Sequence, residues 1–90
     1  MDYEFRWNDW NREHLDKHRI APRDAESLVR RARPPYPQRM KRGKYLVIGQ
    51  TTNGTYVQVI YLIDPDDTIF EIHARPLTDS EKRRYRRRQK

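Results

Sequence analysis

The chain has 90 residues, no cysteine, 34% hydrophobic and 37% charged residues, and a formal net charge of +7. That length suits one domain over residues 1–90 with a modest core, and ten aromatic residues argue against disorder despite the low hydrophobic content. The absence of cysteine excludes a disulfide framework and cysteine-ligated zinc, and no apolar run reaches the roughly 20 residues of a membrane helix. The start, Met1-Asp2-Tyr3-Glu4, is acidic and unlike a secretory signal, so a cytoplasmic protein with no membrane partner is expected.

In chain order, Tyr3 to Trp7 alternates weakly and reads as a short strand. Asn8 is a good N-cap for a first helix running to about His18. Helical periodicity gathers Trp7, Trp10, Asn11, His14, Leu15 and His18 on one face, predicting a buried seam with two histidines. Pro22 can open a second helix, in which Ala25, Leu28, Val29 and Ala32 follow the apolar spacing. Pro34-Pro35 ends it. Arg33 to Gly43 reads as a loop, either a stiff crossover or a polyproline ligand.

Lys44 to Thr51, Thr55 to Ile63 and Thr68 to Arg75 read as three strands. They are joined by Thr52-Asn53-Gly54 and by Asp64-Pro65-Asp66-Asp67, both turn sequences, which predicts an antiparallel meander. Alternation in the third strand puts Phe70, Ile72 and Ala74 toward the core, and Glu71, His73 and Arg75 on the other face. Thr78-x-x-Glu81 is a capping box that opens a third helix. The fold class expected is α+β: two N-terminal helices, a three- to four-stranded antiparallel sheet and a basic C-terminal helix.

The positive charge is concentrated at one end. Lys82, Arg83, Arg84, Arg86, Arg87, Arg88 and Lys90 account for the whole excess, and residues 1–81 balance to zero. Such a block attracts a phosphate backbone by counterion release, and as a bare charge run it is also what a solvated tail looks like. Lys41, Arg42 and Lys44 could extend a phosphate track, or form a solvated turn.

Two constellations bear on chemistry. Cleavage of RNA without a metal needs a base for the 2′-hydroxyl, a cation for the phosphorane and an acid for the leaving oxygen. Glu71 or a histidine could be the base, and Arg75 suits the phosphate; the same residues could equally be a solvated sheet face. His14 and His18 stand one helical turn apart, with His73 as a third imidazole. They could be core histidines, groups near RNA, or zinc ligands without the HExxH arrangement. No phosphate-binding Gly loop or nucleophile elbow is present, and no cofactor or metal is expected.

Taken together the pattern resembles the BrnT family of bacterial type II toxins. The matching stretches are Phe5-x-Trp7-Asn8, Asn11-x-x-His14-Leu15-x-x-His18-x-Ile20, Asp24-Ala25-Glu26, Lys44-Tyr45-Leu46-Val47-Ile48-Gly49-x-Thr51 with Gly54, and Ile72-x-Ala74-Arg75-x-x-Thr78-x-x-Glu81-x-x-x-Tyr85. They cover roughly residues 5–87. The resemblance implies a fold similar to the RelE-type ribonuclease toxins and an endoribonuclease activity. It also implies a ribbon-helix-helix antitoxin as partner, with operator DNA contacted only through that antitoxin. By position it makes Arg75 the leading catalytic candidate, with His18, Glu81 and Tyr85 beside it. Where the family often shows Lys-His-Gly, this chain has Lys17-His18-Arg19, the mark of a divergent branch. The alternatives are a non-catalytic module that binds nucleic acid or a protein partner, and a zinc-dependent or other small-molecule enzyme.

Overall fold

A computed structural model describes residues 3–88, the last of these without its side chain. The elements are β1 (Phe5–Arg6), α1 (Asp9–Asp16), α2 (Pro22–Arg30), β2 (Gln38–Arg39), β3 (Lys44–Gln50), β4 (Tyr56–Ile63), β5 (Ile69–Pro76) and α3 (Asp79–Arg88), with one 3₁₀ turn at Lys41–Gly43. The class is α+β. The sheet has five strands in the order β1-β5-β4-β3-β2, so the expected meander of β3, β4 and β5 gains a two-residue strand at each edge. One of them, β1, pairs parallel to β5, which makes the sheet mixed rather than antiparallel. The other, β2, lies inside the segment expected to be a loop and pairs with Leu46 and Tyr45.

Local chemistry accounts for the element boundaries. At the start of α1, Asn8 and Asn11 cap each other: the Asn11 backbone N–H donates to Asn8 Oδ1 (3.1 Å) and the Asn8 N–H to Asn11 Oδ1 (2.7 Å). Asn11 is fully buried, and its amide also donates to the Arg6 carbonyl (3.0 Å), fastening α1 to β1. The helix ends earlier than expected, at Asp16. The N–H of Ile20 donates to the Leu15 carbonyl and that of Arg19 to the Asp16 carbonyl, a Schellman closure with Arg19 at φ +58. Pro22 starts α2, where its missing N–H costs nothing. The two meander loops share one plan. Gly54 (φ +90) and Asp67 (φ +68) take the left-handed position of three-residue loops, and Thr51 and Asp64 close them by donating to Thr55 and Thr68.

The core lies between α2 and one face of the sheet. Ala25, Leu28 and Val29 of α2 meet Val47, Val57, Val59, Tyr61, Ile69 and Ala74, and Leu15 and Ile20 complete the cluster. The helix sits close on β3: a Cβ at Gly49 would stand 2.8 Å from Leu28 Cδ2. The expected seam of α1 is narrower in the structure. Only Asn11 and Leu15 are buried; Trp10 is 48% exposed and His18 is exposed. The helix packs mainly against β5, and only its Asn11–Leu15 side turns inward. No helix among the described residues is long and apolar enough to cross a membrane.

Candidate functional site

The sheet face opposite α2 carries the candidate site. Strand register sets out its rows: Ile48, Gln58 and Arg75; Leu46, Ile60 and His73; Lys44, Leu62 and Phe70. A bulge in β5 makes this arrangement. Tyr61 pairs with Glu71 and Ile60 with His73, leaving Ile72 as an extra residue. One inserted residue shifts the phase of a strand and sends later side chains to the other face. The simple alternation expected for this strand therefore fails at the bulge. Phe70 points to the open face, whereas Glu71 turns inward beside Tyr61 and is 0% exposed. Ala74 faces the core, and His73 and Arg75 share the open face, as their positions beyond the bulge require.

Glu71 is thus removed from the group of catalytic candidates by geometry: it cannot reach a substrate on the open face. Neither of its carboxylate oxygens has a hydrogen-bond partner among the described residues. Burial pushes its carboxyl up to about 8, the Glu26 carboxylate adds to the rise and Arg30 opposes it.

The two histidines that meet are His18 and His73, whose rings lie edge-on with centroids 6.0 Å apart. Burial lowers the His73 pKa below its ordinary value, and the neighbouring His18, Arg75 and His14 lower it further, so its neutral imidazole is favoured. His14 is engaged elsewhere. Its Nδ1 is 2.7 Å from the Trp10 carbonyl and its ring lies 4.0 Å from that of Trp10, which stacks on Phe70 at 5.9 Å. Among the described residues no group of three His, Asp or Glu side chains could hold a metal ion.

Arg75 is held tightly. Its Nη1 donates to Glu81 Oε1 (2.8 Å) and the Pro76 carbonyl (3.1 Å); its Nη2 donates to Glu81 Oε2 (2.8 Å) and Gln58 Oε1 (3.4 Å). All four Nη hydrogens are committed, which leaves the Nε hydrogen. Glu81 also completes the capping box of α3, accepting from the Thr78 N–H (2.8 Å) while its own N–H donates to Thr78 Oγ1 (3.3 Å). The Arg75 guanidinium, then the Thr78 backbone, hold the Glu81 carboxyl down to about 2. This pair fixes α3 against the open face of the sheet.

Tyr85 follows one turn later. It sits between Tyr36 (6.2 Å) and Tyr56 (5.8 Å), and burial, then the two neighbouring phenols, raise its pKa. Arg86 covers the Tyr56 ring at 5.3 Å. Of the basic candidates, Arg83, Arg84, Arg86 and Arg87 are exposed along α3, and Lys82 lies 3.8 Å from Asp79. The side chain of Arg88, and Lys90 altogether, lie outside the described residues. Lys41 and Arg42 are exposed on the 3₁₀ turn, and Lys44 stands at the far end of the open face. Lys44 lies four residues along β3 from Ile48, about 13 Å away, so cations stand at both ends of the face.

Three contributors went unrecognised in the sequence: Gln58, which reaches Arg75, and Tyr36 and Tyr56, which flank Tyr85. In the sequence Tyr36 is only one residue of a proline-rich segment. It is 6% exposed, an anchor rather than a presented ligand. The strand pairing and the return of the chain under α3 bring these residues in, and no local motif encodes either. No family model, curated protein or solved structure matches the chain.

Proposed function

We propose that the protein is the toxin of a type II toxin–antitoxin pair, a cytoplasmic endoribonuclease that needs no metal, and that its fold is RelE-like. What carries this reading is the meeting of His18 and His73 beside Arg75 on an open sheet face, with the cationic helix α3 next to it. Two imidazoles and a guanidinium are the parts that in-line cleavage of RNA requires. In this scheme neutral His73 takes the proton of a 2′-hydroxyl as its oxygen attacks the adjacent phosphorus. His18 gives a proton to the departing 5′-oxygen. The products are a 2′,3′-cyclic phosphate and a free 5′-hydroxyl. Arg75 stabilises the phosphorane through its remaining Nε hydrogen, and through its Nη groups wherever phosphate displaces Glu81. The resemblance to the BrnT family supports the same reading and supplies the expected partner, a ribbon-helix-helix antitoxin that alone contacts operator DNA.

The test is incubation of purified protein with RNA in EDTA, with analysis of the ends. His73→Ala should lower the cleavage rate by about 10²–10⁴, the usual range for a lost general base. Because His73 is held below its ordinary pKa, activity should persist below pH 6.5 and fall only as His73 itself becomes protonated. Cleavage that survives His73→Ala unchanged would remove the mechanism.

A second reading rests on one observation: the Nη donors of Arg75 are already taken by Glu81, Pro76 and Gln58. An arginine so engaged serves as a strut between β5 and α3, and the basic helix then binds nucleic acid without cutting it. Tight, salt-sensitive RNA binding with no cleavage by the unaltered protein selects this reading.

A further inference from the structure

A cleft runs between the C-terminal end of α2 and α3. Its larger chamber, about 370 Å³, is lined by Arg31, Ala32, Arg33, Tyr36, Gln50 and Tyr85, among others. A second chamber of about 190 Å³ shares Tyr36, Ile48 and Tyr85 with the first and extends to Gln58, Glu81 and Arg84. The two together form a track that leads from the α2 end to the Arg75–Glu81 pair. The larger chamber lies within the ~300–1,000 Å³ range of small-molecule sites.

Two arginines, Arg31 and Arg33, line the larger chamber. Arg6, Arg30 and Arg75 are each paired with a carboxylate. No Asp or Glu lines the larger chamber. There Arg31 is steered by neutral groups, its Nε donating to Ser27 Oγ (2.9 Å) and its Nη2 to the Gln50 carbonyl (3.5 Å). The Arg33 guanidinium has no hydrogen bond or ion pair among the described residues, and neither do the phenol hydroxyls of Tyr36 and Tyr85. Two cations at a rim without acids favour a phosphate, since guanidinium binds phosphate oxygens bidentately. The half-buried Tyr85 ring, with the buried Tyr36 packed beside it, favours an unstacked base, the usual partner of aromatic residues in single-stranded RNA recognition.

We propose that the α2–α3 cleft binds one nucleotide of single-stranded RNA, its base beside Tyr85 and its phosphate on Arg31 and Arg33. This deepens the ribonuclease reading and rests on it for the identity of the polymer. The track places this nucleotide to one side of the Arg75–Glu81 pair, so it flanks the cleaved bond and gives the enzyme a base preference at that position.

The test uses amide chemical shifts of the full chain during titration with 5′-AMP, 5′-UMP and inorganic phosphate at near-physiological salt. Both nucleotides should give saturable shifts at Ala32, Arg33, Gly49 and Gln50, and one should bind more tightly than the other. Arg33→Ala, an exposed change that leaves the core untouched, should weaken nucleotide binding about tenfold, as loss of a charged hydrogen bond does. Arg12→Ala, remote from the cleft, should change nothing. Shifts confined to α3, or phosphate binding as tightly as the nucleotides, would overturn the assignment. Cleavage of RNA in EDTA is scored separately. Cleavage with no nucleotide bound in the cleft removes this inference alone, and nucleotide binding without cleavage removes the ribonuclease reading alone.

Discussion

Glu71 concentrates the cost of the fold in one side chain. An acid with no exposed area and no partner is disfavoured when charged, so the folded chain holds its proton up to about 8 while the unfolded chain releases it near 4.5. The folded state therefore binds more protons over that interval, and stability falls as pH rises through it. The loss is at most about 1.4 kcal/mol per pH unit, and the curve flattens above and below. Glu71→Gln should abolish that slope. Urea unfolding at pH 5, 6.5 and 8 decides the matter, and equal slopes in both proteins would contradict it. Arg19 carries a smaller strain. A Cβ at φ +58 crowds its own backbone, and glycine has none. Arg19→Gly should raise stability by about 0.5–1 kcal/mol, read as an upward shift in Tm.

The elements differ in how firmly they are held. Sheet strands β3, β4 and β5 are paired along most of their lengths, whereas α3 is joined through its first turn and Tyr85. The Thr78 cap and the Glu81–Arg75 pair thus control whether the basic helix lies on the sheet. Thr78→Ala removes the acceptor for the Glu81 N–H and should cost about 0.5–2 kcal/mol. The loss should appear first as faster hydrogen exchange in residues 79–88, before the sheet opens. Since Glu81 is held near 2, the docking of α3 is complete at neutral pH. It is present above the ordinary carboxyl value and weakens only as pH falls toward 2.

Across the molecule, charge is separated from packing. The core side is neutral and buried, while cations occupy α3 at one end of the open face and Lys41, Arg42 and Lys44 at the other. If RNA lies across this face, the affinity should fall linearly with the logarithm of salt concentration, by about 0.7 for each phosphate neutralised on a single strand. Replacing Arg83, Arg84 and Arg87 together should reduce that slope by about 2, with little change in urea unfolding. An unchanged slope would mean that the nucleic acid contacts another surface.

What the sequence determined by itself was local. The α+β class, the capping signals at Asn8 and Thr78, the entry of α2 at Pro22, the three long strands and the charge of the last helix were all written in short patterns of side chains. Each depends on contacts within a few residues, which is why periodicity and turn chemistry expose them. The tertiary structure decided the rest. The bulge at Ile72 sent Glu71 into the core and Phe70 out, because an inserted residue leaves no mark in composition yet reverses the faces of a strand. A short strand over Tyr3 to Trp7 was legible, but its parallel pairing with β5 was not, and the two residues of β2 carry no local signal; both follow from unpaired backbone groups that neighbouring strands offer. The meeting of His18 with His73, of Arg75 with Gln58 and Glu81, and of Tyr36 with Tyr85 joins residues from separate elements. Such contacts exist only when the chain closes on itself, since side chains remote in sequence become neighbours through strand register and helix docking alone.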